Sequence, residues 1–452
     1  MAQKVSTRSL NITFAGVEFS SPIGVGPVGR PFGKNVTPEM HAEILLKHAE
    51  AGASHICIPT CKYLKEETLA KLQETAIPEE RPPLHPKQVR TMRIETPLSP
   101  YGLEGLYFLS TPFWKDIETE RQFAAHSEEL TKILMEKKSP EVRLIANVTG
   151  LGGLPETYVD GAKRYEELGV DLIEINVSCP VPTTEGNAVE YYLQGRFPAR
   201  WHGALIGETP DLVEKITREV VKAVNIPVGV KLSGETGFPR LVGIARRTKD
   251  AGAKWIQAIN LPVGIAPPDI YNRGKPLWPF CNTNPFVGAS GAFLRVQCYK
   301  HVAAIAKFVP GLDVAAAGGL VMPQHVVEVM MLGAGLAQLC TGVIEQGRKL
   351  IRRSDSFLKR FMEEQGYQTV EDIIGLGQQY IKGNEEVDFT ARTVVSETDE
   401  LKCNGCGICV DNICVARYWD NGTVKVIEEH CSGCGACILA CPTDAITLVA
   451  RD

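Results

Sequence analysis

Short runs of β-branched and aliphatic residues alternate along most of the chain with longer stretches in which apolar residues recur at helical spacing. The short runs predict strands over 23–28, 55–60, 142–148, 171–176, 227–232, 255–260, 313–317 and 336–340. The longer ones predict helices, among them 38–51, 155–168, 211–224, 238–251, 294–308 and 322–332. Gly-Ala or Leu-Gly steps stand just ahead of a strand at Gly52-Ala53, Leu168-Gly169, Gly252-Ala253 and Gly333-Ala334, and read as helix C-caps. Eight strand–helix units predict an α/β fold, a closed (β/α)8 TIM barrel; an open doubly wound sheet would share the same alternation. Residues 12–19, with an Ala-Gly step inside, read as a hairpin at the barrel entrance.

Three connections, 62–119, 177–210 and 261–288, are too long for simple links. All three leave the C-terminal ends of strands, where barrel enzymes build their active sites. Residues 383–401 are charged and polar without apolar periodicity, which predicts a linker between a barrel over 1–382 and a small domain over 402–452.

Charge and composition narrow the class. The 452 residues carry a formal charge of −5 with no long basic run, which speaks against nucleic acid or an acidic membrane as partner. The start, Met-Ala-Gln-Lys-Val-Ser-Thr-Arg, lacks the apolar core of a signal peptide, and no stretch is apolar for the roughly 18 residues a span needs. A cytoplasmic location is the expectation. Cysteine is the unusual count: of 14, eight lie between Cys403 and Cys441. Crowded cysteines in a chain without a secretion signal favour metal ligation over disulfides.

Their spacing is Cys403-x2-Cys406-x2-Cys409-x4-Cys414, then Cys431-x2-Cys434-x2-Cys437-x3-Cys441-Pro442. The second run matches the bacterial ferredoxin pattern at every position, in which the first three cysteines of a run hold one cluster and the fourth ligates the other. That logic assigns Cys403, Cys406, Cys409 and Cys441 to one 4Fe–4S cluster, and Cys431, Cys434, Cys437 and Cys414 to a second. Gly405, Gly407, Gly433 and Gly435 let the backbone turn tightly around the sulfurs. The first run departs from the pattern, with four residues before Cys414 and Val415 in place of proline, which leaves room for a three-iron second cluster. A structural zinc site is the rival, but zinc ribbons pair two-cysteine hooks and need no runs of four. A small α+β ferredoxin-like domain follows, and a redox domain requires a redox partner elsewhere in the chain.

Within the barrel, Glu174-Ile-Asn-Val-Ser-Cys-Pro180, Ile145-Ala-Asn-Val-Thr-Gly150 and Pro227-Val-Gly-Val-Lys-Leu232 together resemble the dihydroorotate dehydrogenase family. With the cysteine-rich tail, the chain is similar to the dihydropyrimidine dehydrogenase branch, whose catalytic part joins an FMN barrel to two 4Fe–4S clusters. The resemblance implies FMN and two clusters here, and a role for each matching residue. Lys231 resembles the lysine at the flavin N1–O2 edge, where a cation stabilises the reduced ring. Asn147 and Asn176, with Ser178 one step beyond, resemble groups that bond the flavin or the substrate. Cys179 in the same motif reads as a packed thiol. Ser290 and Gly291, Gly318 and Gly319, and Thr341 and Gly342 resemble a phosphate cradle of backbone amides. Gly24 and Gly26 are placed against the flavin face, and Thr60 and Asn260 complete the cofactor set.

The pattern breaks on the substrate side. The segment 201–210 aligns with the loop that carries the branch's catalytic cysteine and puts Ile206 at that position, and an isoleucine cannot move a proton. Pro59 stands where a lysine is common, and Asn260-Leu-Pro-Val263 replaces an Asn-Thr pair. Hydride addition to an activated C=C needs a proton donor, for which His202 is the first choice, with Glu208, Tyr191 and Tyr192 in the same loop. His55, Cys57, Cys61 and Lys62 form a second set, expected near the mouth.

These features predict an oxidoreductase that reduces a small-molecule substrate, an unsaturated cyclic, pyrimidine-like compound. Two other readings stand beside it: a conventional uracil/thymine enzyme, and an electron-transfer subunit without substrate chemistry. Gly24-x-Gly26-x-x-Gly29 matches a dinucleotide fingerprint only by spelling, since Pro27 interrupts it. The electron donor is therefore expected to be a separate FAD/NAD(P)H subunit or a ferredoxin, in a homo- or hetero-oligomer.

Overall fold

The computed structural model describes residues 8–28, 36–68, 70, 93–94, 106–109, 117–152, 154–179, 193–194, 203–265, 268–276, 286–388, 390–412 and 414–451. They form two compact units, residues 1–381 and 382–452.

In the large unit eight parallel strands close into a barrel: β1 (Ile23–Val25), β2 (His55–Cys61), β3 (Arg143–Val148), β4 (Leu172–Asn176), β5 (Val228–Ser233), β6 (Trp255–Asn260), β7 (Asp313–Ala316) and β8 (Leu336–Leu339). Each strand pairs with the next in sequence, and β8 returns to pair with β1. The open sheet is thereby excluded. One long helix follows each strand: α1 (Pro38–Ala49), α2 (Ile117–Lys137), α3 (Glu156–Glu167), α4 (Pro210–Ala223), α5 (Arg240–Asp250), α6 (Arg295–Phe308), α7 (Pro323–Met331) and α8 (Lys349–Gln365). Helix α4 shows why these stretches coil as they do. Pro210 starts it without losing a needed N–H, and Val213, Ile216, Thr217 and Val220 bury one face at helical spacing.

The hairpin lies at the other end of the barrel from the one expected. Strands Ile12–Phe14 and Val17–Phe19 pair across an Ala15-Gly16 turn, and seal the floor rather than the entrance. Phe14 meets Trp255 edge-on at 5.6 Å, and Phe19 meets His55 at 5.5 Å. Trp255 and His55 open their strands, so both rings fill the bottom of the barrel. Room for them comes from two glycines. A Cβ on Gly229 would stand 2.2 Å from the Trp255 ring, and one on Gly24 would stand 2.3 Å from His55.

At the opposite end, two of the long connections combine. Strands Arg93–Ile94 and Leu106–Leu109, after β2, join Val263–Ile265 and Phe286–Gly291, after β6, in one antiparallel sheet. The third connection contributes the short helix Ala204–Gly207, whose first amide donates to the Cys179 carbonyl at 2.7 Å.

The small unit holds two antiparallel pairs: β9 (Val394–Thr398) with β12 (Ile446–Ala450), and β10 (Arg417–Asp420) with β11 (Thr423–Val426). The predicted linker is therefore partly strand. The apolar pair Val394-Val395 faces Ala450 and Val449 and draws the segment into the sheet, which a polar average over 383–401 hides. Each cysteine run turns through left-handed glycines, with φ of 70° and 77° at Gly405 and Gly407 and 70° and 75° at Gly433 and Gly435. The two halves thus repeat one turn.

Complete burial against apolar rings depresses the pKa of His55 to about 3. The unfolded chain protonates this residue near 6.5, the folded chain only near 3, so acidification through that window favours unfolding. Wild-type stability should fall below pH 6.5 by up to about 1.4 kcal/mol per pH unit from this residue, and His55→Asn should lose that part of the slope. Urea midpoints of both proteins at pH 7 and pH 5 check it; a wild-type–variant difference that stays constant with pH would be evidence against the neutral buried imidazole.

Candidate functional site

Parallel register places the polar residues of β3, β4 and β5 side by side. Asn147 lies opposite Glu174, and Asn176 opposite Lys231. All four are buried and fall on the inward-facing alternation of their strands, with aliphatic Val148, Ile173, Ile175, Val230 and Leu232 on the other. A hydrogen-bonded chain results. Asn260 Nδ2 donates to Ser178 Oγ at 3.2 Å, and Ser178 Oγ donates to Asn176 Oδ1 at 3.0 Å. Asn176 Nδ2 donates to Asn147 Oδ1 at 2.8 Å, and Asn147 Nδ2 donates to Glu174 Oε1 in a short contact. The Lys231 ammonium stands 3.9 Å from the same carboxylate oxygen, and the Cys57 thiol 3.7 Å from it. Burial raises the pKa of Glu174 against the pull of Lys231 and Asn147. It also pushes up the thiols of Cys57 and Cys61, which stay protonated.

Of the expected cofactor residues, Lys231, Asn147, Asn176, Ser178 and Asn260 therefore meet in one row at the mouth end. A second group meets at the ends of β7 and β8. Gly318 and Gly319 have φ of 126° and 72°, and a Cβ on Gly319 would lie 2.3 Å from the Arg295 amide nitrogen. A Cβ on Gly342 would lie 2.5 Å from the Leu320 carbonyl. Only glycine allows the 291–295 turn, the 318–320 turn and the Thr341–Gln346 helix to pack this closely, with Ser290 buried alongside. Such a close set of first-turn and loop amides fits a phosphate group.

Several expectations are corrected. Gly24 lies beside His55 in the floor layer, so its missing side chain serves that ring and not a cofactor face; Gly26 is two residues nearer the mouth, against Gln338 and Cys340. His55 itself is a floor residue, not a mouth acid. Cys57 is interior and Lys62 is buried at the end of β2. Glu208 is engaged as a clamp: Thr236 Oγ1 donates to one oxygen at 2.6 Å and Arg240 Nη1 pairs with the other at 2.8 Å, so both oxygens hold protein partners. Ile206 is fully buried in the hydrophobic core. His202, Tyr191, Tyr192 and the side chain of Thr60 lie outside the described residues.

The sequence reading gave no role to Glu174, Gln257 or Gln338, all fully buried. The available signal was their position: a polar residue at an inward place of an otherwise apolar strand. Glu174 Oε2, Gln257 Oε1 and both amide atoms of Gln338 are buried without a protein partner.

In the small unit, Cys403, Cys406, Cys409 and Cys441 line one cavity, with the Ala445 amide donating to Cys441 Sγ at 3.3 Å. Cys431 and Cys414 pack together in a separate apolar cluster with Val395 and Ala416. Asn412 absorbs the extra residue of the first run by accepting from the Cys414 amide at 2.7 Å. Four thiols on one cavity suit an iron–sulfur cluster. Among the described residues no helix is long and apolar enough to cross a membrane.

Comparison with known proteins agrees with this architecture. Residues 119–258 match the dihydrouridine synthase (Dus) family, and residues 424–447 match the 4Fe-4S binding domain. The chain is 25% identical to the NAD-dependent dihydropyrimidine dehydrogenase subunit PreA of Escherichia coli (strain K12), over 89% of this chain and 85% of that protein. It is 30% identical to the catalytic subunit of dihydroorotate dehydrogenase B (NAD(+)) from Methanocaldococcus jannaschii, over 56% of this chain and 72% of that one. The ligand-free dihydroorotate dehydrogenase of Eimeria tenella shares the fold, with a TM-score of 0.56 and 16% identity over 82% of this chain and 93% of that chain.

Glu208→Gln separates clamp from acid. Because Arg240 is half exposed, the variant should lose only roughly 0.2–1 kcal/mol of thermal stability. The pH dependence of turnover should not move; an ionisation that vanishes from the profile would restore Glu208 as the acid.

Proposed function

The chain belongs to the dihydroorotate dehydrogenase family of flavin-dependent oxidoreductases and carries an iron–sulfur domain, and from that premise we propose that it reduces an activated C=C bond in an unsaturated, pyrimidine-like ring. The observation that carries this reading is the row Lys231, Asn147, Asn176, Ser178 and Asn260 at the same barrel end as the glycine cradle of β7 and β8. The row suits the ring of a flavin mononucleotide and the cradle its phosphate. When bound, FMN supplies hydride transfer, and two 4Fe–4S clusters supply one-electron relay from an external donor.

The chain's own residues supply the rest. Lys231 brings a cation to the edge of the ring where negative charge gathers on reduction. The asparagine row offers directed amides to ring carbonyls, and buried amides of this kind require partners. Gly318, Gly319, Thr341 and Gly342, with Ser290 and Gly291, would hold the phosphate. His202 would protonate the substrate carbon, since Ile206 is core and Glu208 is clamped. Cys403, Cys406, Cys409 and Cys441 would hold one cluster; Cys414, Cys431, Cys434 and Cys437 would hold the other. The relative named as a subunit of an NAD-dependent enzyme supports a separate donor subunit with FAD and NAD(P)H.

The primary test is anaerobic. The protein is purified, its flavin reduced, and uracil, thymine and other unsaturated rings are added separately while flavin absorbance is followed. Reoxidation by a ring compound, abolished in His202→Asn with flavin retained, is the expected result. Fast reoxidation by uracil or thymine would favour the conventional pyrimidine enzyme, and no reoxidation by any ring would favour an electron-transfer subunit. Cluster pairing is tested by Cys441→Ser, which should remove the paramagnetic signal of the cluster on Cys403, Cys406 and Cys409 while the second persists. Loss of the Cys431–Cys437 signal instead would reverse the pairing.

A further inference from the structure

The fully buried carboxylate of Glu174 has no place in the flavin and substrate roles above, yet the row of polar side chains ends on it. Every group facing its Oε1 is a donor: Asn147 Nδ2, the Cys57 thiol at 3.7 Å and the Lys231 ammonium at 3.9 Å. Three donors around Oε1, one of them an ammonium, favour the charged carboxylate there, while Oε2 has no protein partner. The direction of the row follows from that end. With Asn147 Nδ2 committed to the anion, its Oδ1 faces Asn176 Nδ2; the Asn176 oxygen then accepts from the amide of Ser178 at 3.1 Å and from its hydroxyl. Asn260 donates in turn to the same hydroxyl. Each amide is thereby fixed in one of its two orientations, and each bond polarises the next.

We propose that Glu174 is a positioning residue for the flavin site: as the buried counter-ion of Lys231 and terminal acceptor of the asparagine row, it orients those side chains and lowers the reduction potential of the bound flavin. The electrostatic part follows from Coulomb's law in a low-dielectric interior. Reduction adds negative charge to the ring, which a free Lys231 cation would favour strongly. A carboxylate 3.9 Å from that cation offsets part of its field. A lower potential makes the reduced flavin a stronger hydride donor, which suits reduction of a C=C bond.

The inference rests on the flavin reading and is tested separately from it. The midpoint potential of FMN in the anaerobic holoenzyme is measured spectroelectrochemically for wild type, Glu174→Gln and Glu174→Asp. Glu174→Gln keeps an acceptor for Asn147 but removes the charge. It should load FMN normally and shift the potential upward by about 30 mV or more, the equivalent of tenfold in a two-electron equilibrium. Glu174→Asp keeps the charge and should stay near wild type. In Lys231→Met the lone buried carboxyl takes up a proton, so adding Glu174→Gln to that background should shift nothing further. Redox-difference infrared spectra give a readout that does not depend on the glutamine variant folding. Wild type should lack a protonated-carboxyl band from Glu174, and Lys231→Met should show one.

Equal potentials for FMN-loaded wild type and Glu174→Gln, or a protonated-carboxyl band in wild type, would overturn the inference and leave the flavin reading intact. A wild-type chain that binds no FMN would remove the premise and the inference together.

Discussion

A fully buried carboxyl group needs polar partners, and that requirement organises the upper half of this barrel. Glu174 sits on β4 directly opposite Asn147 of β3, while Lys231 of β5 stands opposite Asn176 two residues on and its ammonium comes within 3.9 Å of the carboxylate. The donors are themselves buried and must be satisfied in their turn, and the demand travels outward through Asn176 and Ser178 to Asn260 at the mouth. Breaking the pair would leave one charge stranded, a cost of several kcal/mol in typical proteins. Stability and site geometry are therefore the same problem at this place in the fold.

Below that layer the barrel is closed by rings. Trp255 and His55 fill the floor, covered by Phe14 and Phe19 of the hairpin, with Gly229 and Gly24 yielding the space. An apolar plug under a polar layer keeps bulk solvent from reaching the interior from beneath, so the charges above it act in a poorly screening medium. The layering also separates two kinds of glycine in one chain. Those at the floor accommodate side chains, while Gly319 and Gly342 at the opposite end accommodate backbone.

The fold was legible because its signals are periodic. Alternation of β-branched runs and amphipathic stretches located all eight barrel strands to within a few residues, and the cysteine spacing located the small domain. What escaped depended on direction rather than pattern. Nothing in Ile12 to Phe19 says which end of a barrel the hairpin covers; that is decided by its distant ring partners, Trp255 against Phe14 and His55 against Phe19. Val394 and Val395 were averaged into a polar segment because their strand partner lies some fifty residues on. Glu208 looked like an acid because a sequence cannot show that Thr236 and Arg240 already occupy both of its oxygens. Glu174 was visible within a quoted motif, but only the register to Asn147 shows why a charge belongs in that strand.

The small unit carries its own implication for ancestry. Its first strand pairs along its whole length with its last, Val394 beside Ala450 and Thr398 beside Ile446, so the points where the polypeptide enters and leaves are neighbours. A module whose entry and exit stand side by side can be spliced onto a host, or dropped between two of its elements, without rerouting the chain. An iron–sulfur module of this shape is portable between scaffolds by simple genetic fusion.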